Sequence, residues 1–365
     1  MVRSITLQNF RSFGLKQTVP LEAISVLVGP NNSGKSCFLS VGALCRGLWE
    51  EKAFNEMALS RVGGFEYLVH RPIQGDQDLV VGWETETGSY STTLRKTSEG
   101  DFQALDEVFK SARGESPGRV LPPKSREPFE ALIAYASKFN LRENVYAAIV
   151  RPLCESREIR LIPQIIRQNS PYFTETPRIG IGGQNLAAVL NIWRSGFPEH
   201  AEELDEVLHK SIPEIRHVLS RPAPDKDGFQ LWYQESSGHR FEAKGVSDGV
   251  LLFTALAMHA VEAEPGSLIF IEEPEHFLHP LRLHEIVELF RRIHDRKKCQ
   301  FVIATHSPIF LNEFRDEPES ILLFRRSEEG TRVTQLSEVP KLVDALRTNM
   351  PGDLLAGGFF NDPLP

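Results

Sequence analysis

One stretch near the N-terminus narrows the choice of fold more than any other. Ile24-Ser25-Val26-Leu27-Val28 is a short apolar run rich in β-branched residues. Gly29-Pro30-Asn31-Asn32-Ser33-Gly34-Lys35-Ser36 follows it directly, and an apolar helical pattern comes next. The eight residues fit G-x-x-x-x-G-K-[ST] at every fixed position. Two glycines let the backbone curl so that successive N–H groups converge, and the helix start adds about half a positive charge. Lys35 can then reach phosphate oxygens as a point charge, and the Ser36 hydroxyl can ligate Mg²⁺. A buried strand that runs into a phosphate cradle and then a helix is a building unit of an α/β sheet.

Composition permits such a fold and excludes several others. The 365 residues amount to about two domains, with 41% apolar and 25% charged side chains, as in ordinary globular proteins. The net charge is −8, so any contact with nucleic acid has to be local. Cys37, Cys45, Cys154 and Cys299 include no C-x-x-C pair. That pattern predicts reduced, mostly buried thiols in a cytoplasmic protein, not a zinc site or a disulfide framework. The N-terminal residues do not resemble a signal peptide. The most apolar stretch, 251–261, is far shorter than the ~18 residues of a membrane span. No membrane is expected as a partner.

Periodicity predicts strands over 4–10 and 24–28, a helix from 34 to 48, and a hairpin of 78–86 with 90–95. From 100 to 210 the patterns turn helical, at 105–113, 128–139, 185–193 and 199–210, with Pro-rich connectors such as 116–123. Strands return at 215–219, 229–234 and 240–242. Helix 247–262, strand 268–271, helix 282–296 and strand 300–304 then alternate, as in a parallel sheet flanked by helices. A last hairpin is expected from 320–325 and 331–336. The expected division is 1–100, a helical insertion at 101–212, 213–345 and a tail at 346–365. No heptad pattern is sustained.

Three further features carry chemistry. The apolar run Leu268-Ile269-Phe270-Ile271 ends in Glu272-Glu273-Pro274-Glu275. Ligands in open α/β sheets sit at such carboxyl ends of strands. One carboxylate there can hold Mg²⁺ and its neighbour can orient or deprotonate water. Phe301-Val302-Ile303-Ala304 likewise ends in Thr305-His306-Ser307-Pro308, where an imidazole can meet a γ-phosphate. Val246-Ser247-Asp248-Gly249 precedes an apolar helix; taken alone it is a capped core helix, with Ser247 as the cap.

The order of these features resembles the ATP-binding cassette (ABC) class of P-loop ATPases, and within it the RecF, SMC and OLD branch. Leu7-Gln8-Asn9-Phe10-Arg11-Ser12-Phe13 is similar to the L-x-N-F-R-S-F opening of that branch. Glu272-Glu273-Pro274-Glu275-His276-Phe277-Leu278-His279-Pro280 is similar to its D/E-E-P-E-x-x-L-H-P block, and Ala304-Thr305-His306-Ser307-Pro308 to its T-H-S-P switch. The resemblance spans about 1–100 and 215–340. It implies an α/β ABC ATPase head with a mixed or parallel sheet flanked by helices, an antiparallel N-terminal β part and an inserted helical subdomain.

It also implies ATP and Mg²⁺. Gly29, Asn31, Asn32, Ser33, Gly34, Lys35, Ser36 and Cys37 would hold the nucleotide, with Arg11 approaching it. Ser36 and Glu272 would hold the metal, together with Gln74 as a candidate for the Q-loop glutamine; a plain surface loop is the other reading of Gln74. Glu272 stands where relatives more often have Asp. Glu273 would be the catalytic carboxylate and His306 the switch histidine, acting with Lys35. Ser247 and Gly249 would belong to a signature motif that closes over ATP held by another copy.

A homodimer or higher homo-oligomer joined through nucleotide is therefore expected. Only about 25 residues follow the last hairpin, too few for the metal-dependent nuclease (TOPRIM) domain of many OLD relatives, so the expected effector is a separate protein, as in prokaryotic defence against phage. The alternative is a RecF-like repair clamp on DNA, and a third possibility is a scaffold that binds ATP without hydrolysing it. The basic run from Arg291 to Lys298 fits a solvated helix end better than a DNA patch.

Overall fold

The computed structural model describes residues 1–51, 56–60, 62–70, 78–96, 102–111, 146–172, 178–224, 227–276 and 278–361. Its strands are β1 (Val2–Gln8), β2 (Gln17–Pro20), β3 (Ile24–Val28), β4 (Leu79–Thr85), β5 (Gly88–Lys96), β6 (Phe102–Ser111), β7 (Arg157–Ile159), β8 (Ile215–Pro222), β9 (Phe229–Glu235), β10 (Arg240–Glu242), β11 (Leu268–Glu272), β12 (Gln300–Ala304), β13 (Ile321–Ser327) and β14 (Gly330–Gln335). The chain forms two compact units. One comprises 1–158, 265–271 and 298–365; the other comprises 159–264 and 272–297.

In the first unit, β2-β1-β4-β5-β6 is an antiparallel sheet, with Ile5 opposite both Val19 and Trp83. A mixed sheet runs β14-β13-β3-β12-β11-β7. At its centre β3 lies parallel to β12, pairing Leu27 with Ala304, and parallel to β13, pairing Leu27 with Leu322. All five residues of β3 and of β12 are buried. That is why these strands are unbroken apolar runs: a parallel strand covered on both faces has no side left for alternation. Phe13, Phe38 and Phe324 pack ring against ring beneath the phosphate loop, with centroids 6.1, 6.4 and 5.8 Å apart.

The second unit has the sheet β10-β9-β8 and the helices Leu186–Gly196, Pro198–Ser211, Asp248–Glu262 and Pro280–Lys297. Helix Asp248–Glu262 is buried at every position from Leu251 to Val261. Its apolar run of ordinary length is therefore a central core helix.

Two expectations need correction. Residues 105–111 of the helix expected over 105–113 are strand; β6 (Phe102–Ser111) pairs with β5 there, and 112–113 lie outside the described residues. The helix expected over 34–48 is two helices, Lys35–Leu39 and Val41–Glu51, divided at Ser40, whose hydroxyl donates to the Cys37 carbonyl at 2.7 Å. The helix expected at 128–139 lies outside the described residues, as does Gln74. Among the described residues no helix is long and apolar enough to cross a membrane.

Candidate nucleotide-binding site

The phosphate loop joins β3 to helix Lys35–Leu39 in the first unit. Gly34 has φ +107°, and a Cβ there would fall on Thr331 Oγ1. At Gly29 a Cβ would fall on the Phe324 carbonyl oxygen. Both glycines are thus required by left-handed backbone and by close approach. Asn32 is also left-handed, at φ +62°, which Asn tolerates better than most residues. Asn31, Asn32 and Ser36 are exposed, and Ser33 is buried. Lys35 is 7% exposed, and its ammonium donates to the carbonyl oxygens of Gly29 at 2.7 Å and Pro30 at 3.0 Å. The cation is thereby held against the loop that surrounds the expected phosphate position. Cys37 is half-buried at the next helical position.

His306 belongs to the same unit. Ala304 pairs with Leu27, so His306 and Gly29 leave the same sheet edge two residues further on. Thr305 and Ser307 fix the chain on either side. The Thr305 N–H donates to Leu27 O at 3.2 Å, and Ser307 Oγ caps helix Pro308–Asn312 by accepting from Phe310 N at 3.2 Å. The imidazole is exposed. Arg11 is left-handed at φ +50°, and its Nη2 donates to the Val62 carbonyl at 2.8 Å.

The remaining expected residues fall in the second unit. Glu272 closes β11, and its carboxylate pairs with Arg160 Nε at 3.3 Å. Glu273 has φ +50°, a rare conformation for a side chain without a turn-forming role, and His276 Nε2 meets its carboxylate at 3.0 Å. Ser247 caps helix Asp248–Glu262, its Oγ accepting from Val250 N at 3.4 Å. Ser247 is exposed and Gly249 half-buried, and both line an open groove of about 760 Å³ with Lys210, His279 and Arg282. The basic end of helix Pro280–Lys297 is largely engaged within its own unit. Arg291 pairs with Glu288 at 3.0 Å, Arg296 with Glu203 at 2.6 Å, and Lys297 Nζ donates to the Val261 and Ala263 carbonyls.

A family profile described as "AAA domain, putative AbiEii toxin, Type IV TA system" matches residues 24–312. The chain belongs to this AAA family. An OLD nuclease of Thermus scotoductus is 30% identical to the AAA chain over 123 residues, which are 32% of this chain and 22% of that protein. The match thus spans less than a quarter of the nuclease. A solved SMC head bound to the C-winged helix domain of ScpA has a TM-score of 0.57 at 13% identity, covering 91% of this chain and 97% of that one. An Smc head with an extended coiled coil, bound to the C-terminal domain of ScpA derived from Pyrococcus furiosus, gives 0.50 at 12% identity over 95% and 99%. The AAA chain carries a P-loop, and its fold is that of an ABC-type head of the SMC kind.

Several residues that shape the site carry no local sequence signal. Thr331, nearly 300 positions after the loop, has Oγ1 2.9 Å from Ser33 O and 2.8 Å from Ser12 Oγ. Arg160 and Arg167 are likewise recognisable only from their partners. Ser36 and Glu272 offer a hydroxyl and a carboxylate, the hard oxygen donors that Mg²⁺ prefers. Among the described residues no group of three or more His, Cys, Asp and Glu gathers as a metal cage.

Proposed function

We propose that the chain is an ATP-driven clamp in which two copies close on nucleotide. The phosphate loop of one copy and the signature turn of the other would form each composite site. The observation that carries this reading is the Ser247–Gly249 turn. It is capped and ordered, yet open to a groove rather than buried in its own unit. A helix start left open in this way suits an anion brought by another molecule.

Lys35 neutralises the β- and γ-phosphates, and the loop amides orient them. Mg²⁺, held by Ser36 and Glu272, would supply charge neutralisation at the phosphates. Glu273 accepts a proton from a water whose oxygen bonds to the γ-phosphorus, the bond to the β-phosphate oxygen breaks, and ADP and phosphate leave. His306 donates a hydrogen bond to the γ-phosphate. ATP then holds the two copies together and hydrolysis parts them. The output would be control of an effector protein in defence against phage.

Light scattering of the purified protein with ATP and Mg²⁺ tests the clamp. Glu273→Gln should lengthen the life of the ATP-bound dimer and abolish most phosphate release, and Lys35→Ala should remove nucleotide binding. Equal turnover by the wild type and Glu273→Gln would strip Glu273 of its role, and a monomer under all conditions would sink the clamp. Stimulation of turnover by DNA alone would favour repair over defence.

A further inference from the structure

At the start of helix Asp248–Glu262 a single guanidinium holds the turn from two sides. Arg167 follows the short helix Pro163–Ile166 as its C-cap. Its Nη1 is ion-paired with Asp248 Oδ1, and its Nη2 donates to the Val246 carbonyl at 2.9 Å. Val246 and Asp248 bracket Ser247, so both contacts converge on the capping residue. The two side chains are 23% and 34% exposed, so the pair is only partly screened by solvent.

A carboxylate in the first turn suits the helix dipole. It suits an incoming anion badly, because it repels that anion and competes for the same N–H groups. We propose that Arg167 is a positioning residue for the signature turn. It draws the Asp248 carboxylate aside and cancels its charge, so that the turn can accept the terminal phosphate of a nucleotide held by a second copy. This role rests on the clamp reading above. The helix has a separate anchor behind the turn. The Tyr233 hydroxyl donates to Thr254 Oγ1 at 3.1 Å, and Thr254 Oγ1 donates to the Val250 carbonyl at 2.8 Å. Arg167 therefore adds charge balance and orientation to a helix whose first turn is already tied to β9.

The test uses the full chain in a Glu273→Gln background, reading by light scattering the ATP concentration that gives half-maximal dimer. Binding of a fluorescent ATP analogue to dilute protein is measured alongside, as a readout of the phosphate loop alone. Arg167→Ala should raise the half-maximal ATP concentration about tenfold or more, because an uncancelled like charge faces the phosphate. Binding by separate copies should change less than about twofold, since it uses the phosphate loop and not the signature turn. Adding Asp248→Asn should bring assembly back to within about threefold of the parent, since the repelling charge is gone. Arg167→Lys, which keeps charge without the fork, should recover only in part. If the alanine variant does not fold, Arg167→Gln should show the same defect. Unchanged assembly by Arg167→Ala overturns the assignment, and so does a double variant no better than the single one. If the Glu273→Gln parent itself never dimerises with ATP, the clamp reading falls first, and the role of Arg167 falls with it.

Discussion

Thr331 Oγ1 lies between two oxygens, the Ser33 carbonyl at 2.9 Å and the Ser12 hydroxyl at 2.8 Å. A carbonyl can only accept, so the single Thr331 proton goes to Ser33 and Ser12 donates in turn. The Thr331 N–H also donates to the Ser12 carbonyl at 2.7 Å. The hairpin β13–β14 thus pins the middle of the phosphate loop. Thr331→Val keeps the shape and removes the proton, leaving the Ser33 carbonyl short of a partner, at a cost of about 1–3 kcal/mol. Chemical denaturation should show that loss, and nucleotide titration should show weaker binding while Lys35 is intact. The thiols give a second residue-scale prediction. Burial pushes Cys45 up to about 12 and Cys154 well above its ordinary value, the latter raised further by Cys45 and Glu155. Reactivity follows the thiolate, so iodoacetamide at pH 8 should leave both unmodified in the folded protein. Half-buried Cys37 is the expected site of any slow labelling. Mass spectrometry of peptides before and after unfolding checks this; rapid labelling of Cys45 in the native protein would contradict its burial.

At the scale of elements, legibility followed burial. β3 and β12 are buried throughout and followed directly by Gly29 and Thr305, and their limits could be read directly from the sequence. The hairpin β4–β5 was legible because Glu86-Thr87 interrupts two alternating runs. β6 was not. Leu105, Val108 and Phe109 fall at helical spacing, and a charged residue, Glu107, holds an inner position of the strand at 4% exposure. The Tyr90 hydroxyl donates to that carboxylate, and Tyr90 stands opposite Phe109 in the ladder. A register shift between Thr93 and Leu94 interrupts the regular pairing further along. Tertiary pairing overrode a local pattern that pointed to a helix. The same limit governs the site. The G-x-x-x-x-G-K-S spacing is local chemistry and shows in the sequence. Thr331, Arg160 and Arg167 act through residues far along the chain, and no periodicity marks them.

At the scale of the whole molecule, the chain passes between its two compact units at 158–159, 264–265, 271–272 and 297–298. The phosphate loop and His306 lie in one unit, and the signature turn lies in the other. If nucleotide sites are shared between two copies about a two-fold axis, each copy uses its loop once and its signature turn once. Defects in the two parts should then complement each other. Lys35→Ala destroys the loop and spares the signature turn. Ser247→Arg blocks the exposed turn and spares the loop. Each protein alone should be nearly inactive. In an equal mixture with random pairing about half of the dimers are mixed, and each mixed dimer holds one intact site out of two, so turnover should recover to about a quarter of wild type. Phosphate release from the mixture, compared with the sum of the separate proteins, measures this directly. Recovery requires that one copy's helix start completes another copy's phosphate loop. A mixture no more active than its components would mean that loop and turn serve the same nucleotide within one chain, or that the turn serves none.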